Sequence, residues 1–260
     1  MKTPITYYGG KQGMLKDILP LIPKHSTYTE SFAGGAAVLF AKEPVNINVI
    51  NDLNGEVINF YRTIVGDFDA LKSQIEQTLH SREQHQVART IYEHPDYFSS
   101  VTRAWAFWVL SKMSFSSALG ASFAITKTGG NKKASLIFNS KSAFNCDLKE
   151  LLEQCTIEQE DAFSVIRRYD SPDAFHFIDP PYVGCNMGHY SGMFNDEDLN
   201  ALLELLSSIK GKFMLTMYPN EMIARYVNRF GWKVHSVERR VSSAGSKIKR
   251  KQEELMICNY

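Results

Sequence analysis

The apolar positions change period along the chain, and the changes mark its elements. In the first fifty residues, Tyr28 to Ser31 predicts a strand, Gly34 and Gly35 a turn, Ala36 to Ala41 a helix, and Ile47 to Asn51 a second strand. Strand, crossover helix, strand implies a parallel pair. From Leu53 to about Leu119 the spacing is helical: Val57, Phe60, Tyr61 and Ile64 share one apolar face, and Trp105, Trp108, Val109 and Lys112 line a later helix. Thr126 to Ser142 holds Gly129-Gly130 together with Lys127, Lys132, Lys133 and Lys141, and reads as a hairpin or loop with a basic surface. Strands resume at Thr156 to Glu160 and Phe175 to Ile178. A helix over Asp196 to Ile209 stops at Gly211, and Lys212 to Met217 predicts another buried strand. Lys233 to Val241 and Glu254 to Asn259 close the chain as an antiparallel pair.

These elements predict an α/β fold, a mainly parallel sheet with a C-terminal antiparallel pair, interrupted by a mostly helical insert. Residues 1–54 and 150–260 form the sheet domain in this reading, and 55–149 the inserted lobe. A chain of 260 residues suits that division. With 44% hydrophobic and 22% charged residues, disordered and fibrous classes are excluded. Cys146, Cys155, Cys185 and Cys258 show no CxxC pair and no histidine at ligand spacing. They read as reduced, mostly buried thiols, with no metal site and no disulfide framework. Met1 to Tyr8 lacks a basic region followed by an apolar stretch, and the longest strongly apolar run, Ala104 to Leu110, is too short to span a bilayer. A cytoplasmic protein is expected. The net charge of +1 conceals an uneven distribution: Arg239, Arg240, Lys247, Lys249, Arg250 and Lys251 fall in one segment without an acid, leaving the remainder net acidic. Such a stripe is the footprint of a polyanion-binding surface or, more blandly, a solvated turn between two strands.

Candidate chemistry centres on Asp179-Pro180-Pro181-Tyr182, directly after the apolar run that ends at Ile178. Open α/β sheets bind ligands at that carboxyl edge. Two prolines fix φ and remove donors, so the Asp179 carboxylate and the Pro180 carbonyl become a rigid set of acceptors. An aromatic amine is a poor nucleophile because its lone pair is delocalised, and two acceptors gripping its N–H bonds favour a tetrahedral, attacking nitrogen. The Tyr182 ring can stack on a base, provided the base has left the duplex. The plain alternative is a turn that merely ends a strand.

Phe32-Ala33-Gly34-Gly35-Ala36 lies between the first strand and helix, where backbone approaches a cofactor, yet it lacks the GxGxxG spacing of a pyrophosphate-binding turn. Asp52, at the end of the second strand, can accept from both ribose hydroxyls of an adenosine cofactor, or cap the helix that follows. Asp161 and Phe163 follow the third strand in the same way, as a pocket for a cofactor adenine or as a cap and a core residue.

Taken in order, these pieces resemble the Dam-like class, alpha group, of S-adenosylmethionine-dependent DNA adenine-N6 methyltransferases: cofactor motif, target-recognition insert, catalytic motif. Tyr7-Tyr8-Gly9-Gly10-Lys11 is similar to that family's aromatic-x-Gly-Gly-Lys signature, and Glu254 to Tyr260 looks like its closing strand. The resemblance implies a Rossmann-like sheet with S-adenosyl-L-methionine as cofactor. It implies Tyr7, Gly10 and Lys11 in the cofactor pocket, Phe32 and Gly34 around the methionine moiety, Asp52 on the ribose, Asp161 and Phe163 near the adenine, and Asp179 to Tyr182 as the catalytic motif. Double-stranded DNA is the implied partner, probed by Lys127, Lys132, Lys133, Lys141, Lys247, Lys249, Arg250 and Lys251. The implied enzyme is monomeric on DNA, with a cognate restriction endonuclease encoded nearby as a further candidate partner. Ser111 to Gly120 and Lys127 to Ser140 depart from the GATC-reading segments of Dam itself, so no recognition sequence carries over. Asn186, His189 and Tyr190 form a loop that closes over a flipped base or is an ordinary surface loop. The competing readings are methylation of cytosine N4, an RNA adenine or a protein glutamine, and a DNA-binding relic without catalysis.

Overall fold

The computed structural model of the chain describes residues 1–126, 133–183, 194–241 and 250–260, with backbone alone at 239–241 and 250–251. Cys185, Lys127, Lys132, Lys247, Lys249, Asn186, His189 and Tyr190 lie outside the described residues.

Seven strands form one sheet: β1 Thr27–Glu30, β2 Ile47–Asn51, β3 Cys155–Glu158, β4 Ala174–Ile178, β5 Lys212–Met217, β6 Lys233–Val241 and β7 Arg250–Cys258. Their spatial order is β3-β2-β1-β4-β5-β7-β6. The first five are parallel, β7 runs antiparallel to β5, and β6 pairs antiparallel with β7. The chain builds outward from β1 in one direction and from β4 in the other, so the β1/β4 boundary is the topological switch point where open α/β sheets place their ligands. The helices are α1 Leu15–Ile18, α2 Ala37–Ala41, α3 Gly55–Gly66, α4 Phe68–Gln77, α5 Arg82–Glu93, α6 Ser100–Met113, α7 Lys133–Ser142, α8 Cys146–Glu153, α9 Ala162–Tyr169, α10 Asp196–Ser208 and α11 Glu221–Phe230.

Period-two alternation along the strands divides the apolar residues between two faces. Phe175 and Phe177 of β4 join a core that runs continuously from the sheet into the helices between β2 and β3, through Phe60, Tyr61, Phe107 and Trp108. Ile178, Phe213, Leu215 and Ile257 pack on the opposite side against Leu199, Leu202, Leu203 and Leu206 of α10. Each such fully buried side chain contributes about 1.5–3 kcal/mol of transfer free energy. Helix starts are set by side-chain caps: Asn54 for α3, Ser81 for α5 and Ser99 for α6. The predicted apolar face of Val57, Phe60, Tyr61 and Ile64 is wholly buried on α3.

Three expectations need correction. Residues from Lys133 onward are not a hairpin but helix α7, with Ile137 turned inward. The stretch contains good helix formers and no glycine or proline, and the preceding Gly129-Gly130 drew the turn reading too far. Strand β7 begins at Arg250, four residues earlier than its apolar pattern, because β6 and β7 stay paired over nine rungs that continue past the end of β5. Among the described residues the thiols are not mostly buried: Cys146 is exposed, Cys155 half-buried and Cys258 buried.

Candidate active site

Carboxyl ends of parallel strands converge on one edge, and the polar residues placed there are held by one another. Asn51, the last residue of β2, donates to the carbonyls of Ser31 and Glu160 and accepts from the Glu160 N–H, each at about 3 Å. That buried amide ties the ends of β1, β2 and β3 together.

Next to it, the Asp52 carboxylate accepts the Gly34 N–H at 2.7 Å and the Asn54 N–H at 2.9 Å. The cap of α3 is Asn54, whose side chain accepts from Glu56, so the cap reading of Asp52 is replaced. Burial pushes the Asp52 carboxyl up to about 6, against the two backbone N–H groups that favour its charge. Gly34 has φ +46, and a Cβ there would stand 2.6 Å from Cδ1 of Tyr7. The Tyr7 ring therefore lies flush on the glycine turn, and only glycine permits it. Asn54 Nδ2 reaches the Tyr7 hydroxyl at 3.4 Å, and Tyr61 donates to the Gly34 carbonyl at 2.8 Å.

Tyr7 to Gly10 is a tight turn, with Gly9 at φ +75 and the Gly10 N–H donating to the Tyr7 carbonyl at 3.0 Å. The turn delivers Lys11 into the interior, 3% exposed, where its ammonium donates to the Gly9 carbonyl at 2.7 Å and lies 2.6 Å from the Asp179 carboxylate. Asp179 also accepts from the Thr216 hydroxyl of β5 at 2.6 Å. Burial raises the Asp179 carboxyl above the usual carboxylate range, opposed by the Lys11 ammonium and the Thr216 hydroxyl.

The Tyr182 ring is nearly buried, edge-on to Tyr218 at 4.5 Å between centroids, with the Lys11 ammonium 5.1 Å from its centre. Its hydroxyl donates to Glu254 Oε1 at 2.5 Å, and Glu254 lies 3.3 Å from Lys11 Nζ. Lys11, Asp179, Thr216, Tyr182 and Glu254 are thus one connected network at the carboxyl edge.

Phe32 stands edge-on to Phe194 at 6.1 Å, and Phe163 packs into the α10 side of the core. Asp161 caps α9, accepting the Ser164 N–H at 2.9 Å. Lys133 opens α7, and Lys141 donates to the Glu76 carbonyl at the end of α4. Arg250 and Lys251 sit opposite Val241 and Arg240 on the paired stretch of β6 and β7 that continues past the end of β5.

The residues 7–242 match the sequence profile of the D12 class of N6 adenine-specific DNA methyltransferases. The chain belongs to that family. It is similar over its length to type II methyltransferase M.CviBI of Paramecium bursaria Chlorella virus NC1A, with 25% identity across 91% of this chain and 94% of that protein. Type II methyltransferase M1.LlaDCHI of Lactococcus lactis subsp. cremoris is also 25% identical, over 97% of this chain and 93% of its own. A 110-residue stretch is 31% identical to the DNA N-6-adenine-methyltransferase of Escherichia phage P1, covering 41% of this chain and 14% of that protein.

For a DNA adenine methyltransferase the edge residues take on a chemical order. Asp179 ends the central strand, Lys11 and Thr216 set its charge and orientation, and the Gly34–Asp52 turn lies one strand away. Sequence reasoning missed Thr216, Asn54 and the inward role of Glu254. Thr216 and Glu254 sit inside strand patterns with nothing to mark them. The Asp-x-Asn spacing of Asp52 and Asn54 was the one signal available, since a capping residue two positions after a carboxylate can bind it through its own N–H.

Proposed function

We propose that the methyl donor is S-adenosyl-L-methionine and that Asp179, the Pro180 carbonyl and Tyr182 receive an adenine flipped out of duplex DNA. The observation that carries this reading is the Asp179 carboxylate, fixed at the end of β4 by Lys11 and Thr216 at 2.6 Å each. Asp179 and the Pro180 carbonyl, as paired acceptors, would hold the two N–H bonds of N6 and localise the nitrogen lone pair for attack. When bound, the donor's sulfonium supplies an electrophilic methyl and a neutral leaving group.

The residues fit such a donor. Asp52 presents a carboxylate already oriented by two backbone N–H groups, and the Gly34 turn beside it carries the Tyr7 ring packed flush against its backbone. Asp52 would accept from the ribose hydroxyls, Gly10, Phe32 and Gly34 would flank the methionine part, and Asp161 with Phe163 would face the adenine ring. Tyr7 and Lys11 would close the pocket from the N-terminal side. Lys11 occupies acceptors that an amine would use, so the ammonium yields as the base enters.

The paired β6–β7 extension leaves the sheet at the edge that carries Asp179, and it bears Arg250 and Lys251. That supports phosphate contacts from this ribbon, joined by Lys127, Lys132, Lys133, Lys141, Lys247 and Lys249. We further propose a cytoplasmic enzyme that acts as a monomer. The type II names of M.CviBI and M1.LlaDCHI support a cognate restriction endonuclease as its counterpart.

The test is transfer of labelled methyl from S-adenosyl-L-methionine to unmethylated duplex DNA, RNA and protein in parallel, with Asp179→Asn alongside. Label confined to DNA and lost in the variant supports the reading. Label in RNA or protein instead, or an undiminished variant, would overturn it.

A further inference from the structure

We infer that Glu254 is a positioning residue for methyl transfer, holding the Tyr182 ring by its hydroxyl and taking the Lys11 ammonium when an amine is gripped by Asp179. This rests on the reading of Asp179 as an acceptor for the target amine.

Topology brings Glu254 to the site. Strand β7 is antiparallel to β5, and Leu255 stands opposite Met217, the last residue of β5. Glu254 therefore emerges one residue past the carboxyl end of β5, on the same edge as Asp179. It is 3% exposed, and a buried carboxylate is costly unless it is hydrogen-bonded or paired. The Tyr182 hydroxyl at 2.5 Å and the Lys11 ammonium at 3.3 Å help to meet that requirement here.

Those distances differ in a telling way. Lys11 is in tight contact with Asp179 at 2.6 Å and in looser contact with Glu254, while the Gly9 carbonyl takes another of its N–H bonds at 2.7 Å. An incoming amine competes with Lys11 for the Asp179 oxygens. The ammonium has three donors on a flexible stem, so it can swing toward Glu254 and keep its charge paired as it gives up its contact with Asp179. With no second carboxylate, the same release would leave a buried ammonium short of a counter-charge. The Tyr182–Glu254 hydrogen bond at the same time fixes the ring's orientation, so one side chain sets both the stacking surface and the freedom of the acceptor.

The experiment is single-turnover transfer of labelled methyl to duplex DNA across pH, for the full-length protein and for Glu254→Gln, Glu254→Ala and Tyr182→Phe. Glutamine keeps an acceptor for the tyrosine hydroxyl but removes the charge that draws Lys11 away. The expected result for Glu254→Gln is a rate loss of about tenfold or more, with apparent affinities for DNA and S-adenosyl-L-methionine within about twofold of the parent. Its acidic limb should move to lower pH, because Asp179 loses a neighbouring negative charge. Tyr182→Phe should slow transfer and leave the limb in place. If Glu254→Ala fails to fold, Glu254→Gln decides alone. A Glu254→Gln enzyme with the parent's rate and pH profile overturns the inference while leaving DNA adenine methylation standing; a parent protein that transfers nothing to DNA removes the reading on which it rests.

Discussion

Replacing Thr216 by valine removes one oxygen and almost no volume. Thr216 is fully buried in β5, and its hydroxyl donates to Asp179 Oδ1 at 2.6 Å, with the Ile178 carbonyl 3.4 Å away. Valine fills the same space and suits a strand, so the fold should persist. A hydrogen bond to an ionised, buried group is worth about 1.5–3 kcal/mol, and here it favours only the charged form of Asp179. If about 2 kcal/mol of that acts on the transition state, transfer slows roughly thirtyfold at pH values where Asp179 is ionised. The variant should also move the acidic limb of the profile to higher pH, since one of the groups holding the carboxylate charged is gone. The assay is single-turnover methyl transfer from pH 5 to 9, with the melting temperature measured beside it. A profile that superimposes on the parent's would refute the argument that Thr216 tunes Asp179.

In the proposed ribose role, the Asp52 carboxyl, pushed up to about 6, accepts from the hydroxyls more strongly when ionised. Affinity for S-adenosyl-L-methionine should fall as pH drops through about 6, and calorimetric titration of Asp52→Asn should give weaker, pH-independent binding. Glu30 is buried at the end of β1, accepting from the Tyr28 hydroxyl at 2.9 Å and the Leu39 N–H at 3.0 Å, and burial raises it from 4.5 to about 7. The folded state thus binds this proton more tightly than the unfolded chain, so stability declines as pH rises from about 4.5 to about 7 and stays lower above. Glu30→Gln should raise the melting temperature more at pH 8 than at pH 5, by the equivalent of up to about 3 kcal/mol; equal effects at both would contradict the assignment. Replacing Arg250 and Lys251 together by glutamine should weaken DNA binding evenly across sequences and lower the salt-dependence slope by about two, read from filter binding between 50 and 200 mM salt.

Much of the fold was legible because its strands obey simple period rules. Ile47–Asn51, Lys212–Met217 and Lys233–Val241 fall where alternation or a short apolar run placed them. The failures have physical causes. Lys133–Ser142 reads as a loop because glycines precede it and lysines punctuate it, while a single buried residue, Ile137, anchors it. Arg250 to Glu253 looked too charged for a strand, yet an extension beyond the core requires backbone pairing and no apolar face. At the site, the strand-end carboxylates Asp52 and Asp179 and the Gly34 turn were readable from their positions. Lys11 carried a family signature, but its contact with Asp179 joins residues 168 positions apart, which no local pattern encodes. Glu254 was hidden for the same reason: only the antiparallel return of β7 carries it to the edge where β4 ends.

The most direct test of the central claim is nucleoside analysis of genomic DNA from a host without adenine methylation, expressing either this chain or its Asp179→Ala variant. N6-methyladenine in the first and none in the second is the expected result. DNA free of N6-methyladenine with the intact chain folded and supplied with S-adenosyl-L-methionine, or equal modification with the variant, would contradict the account.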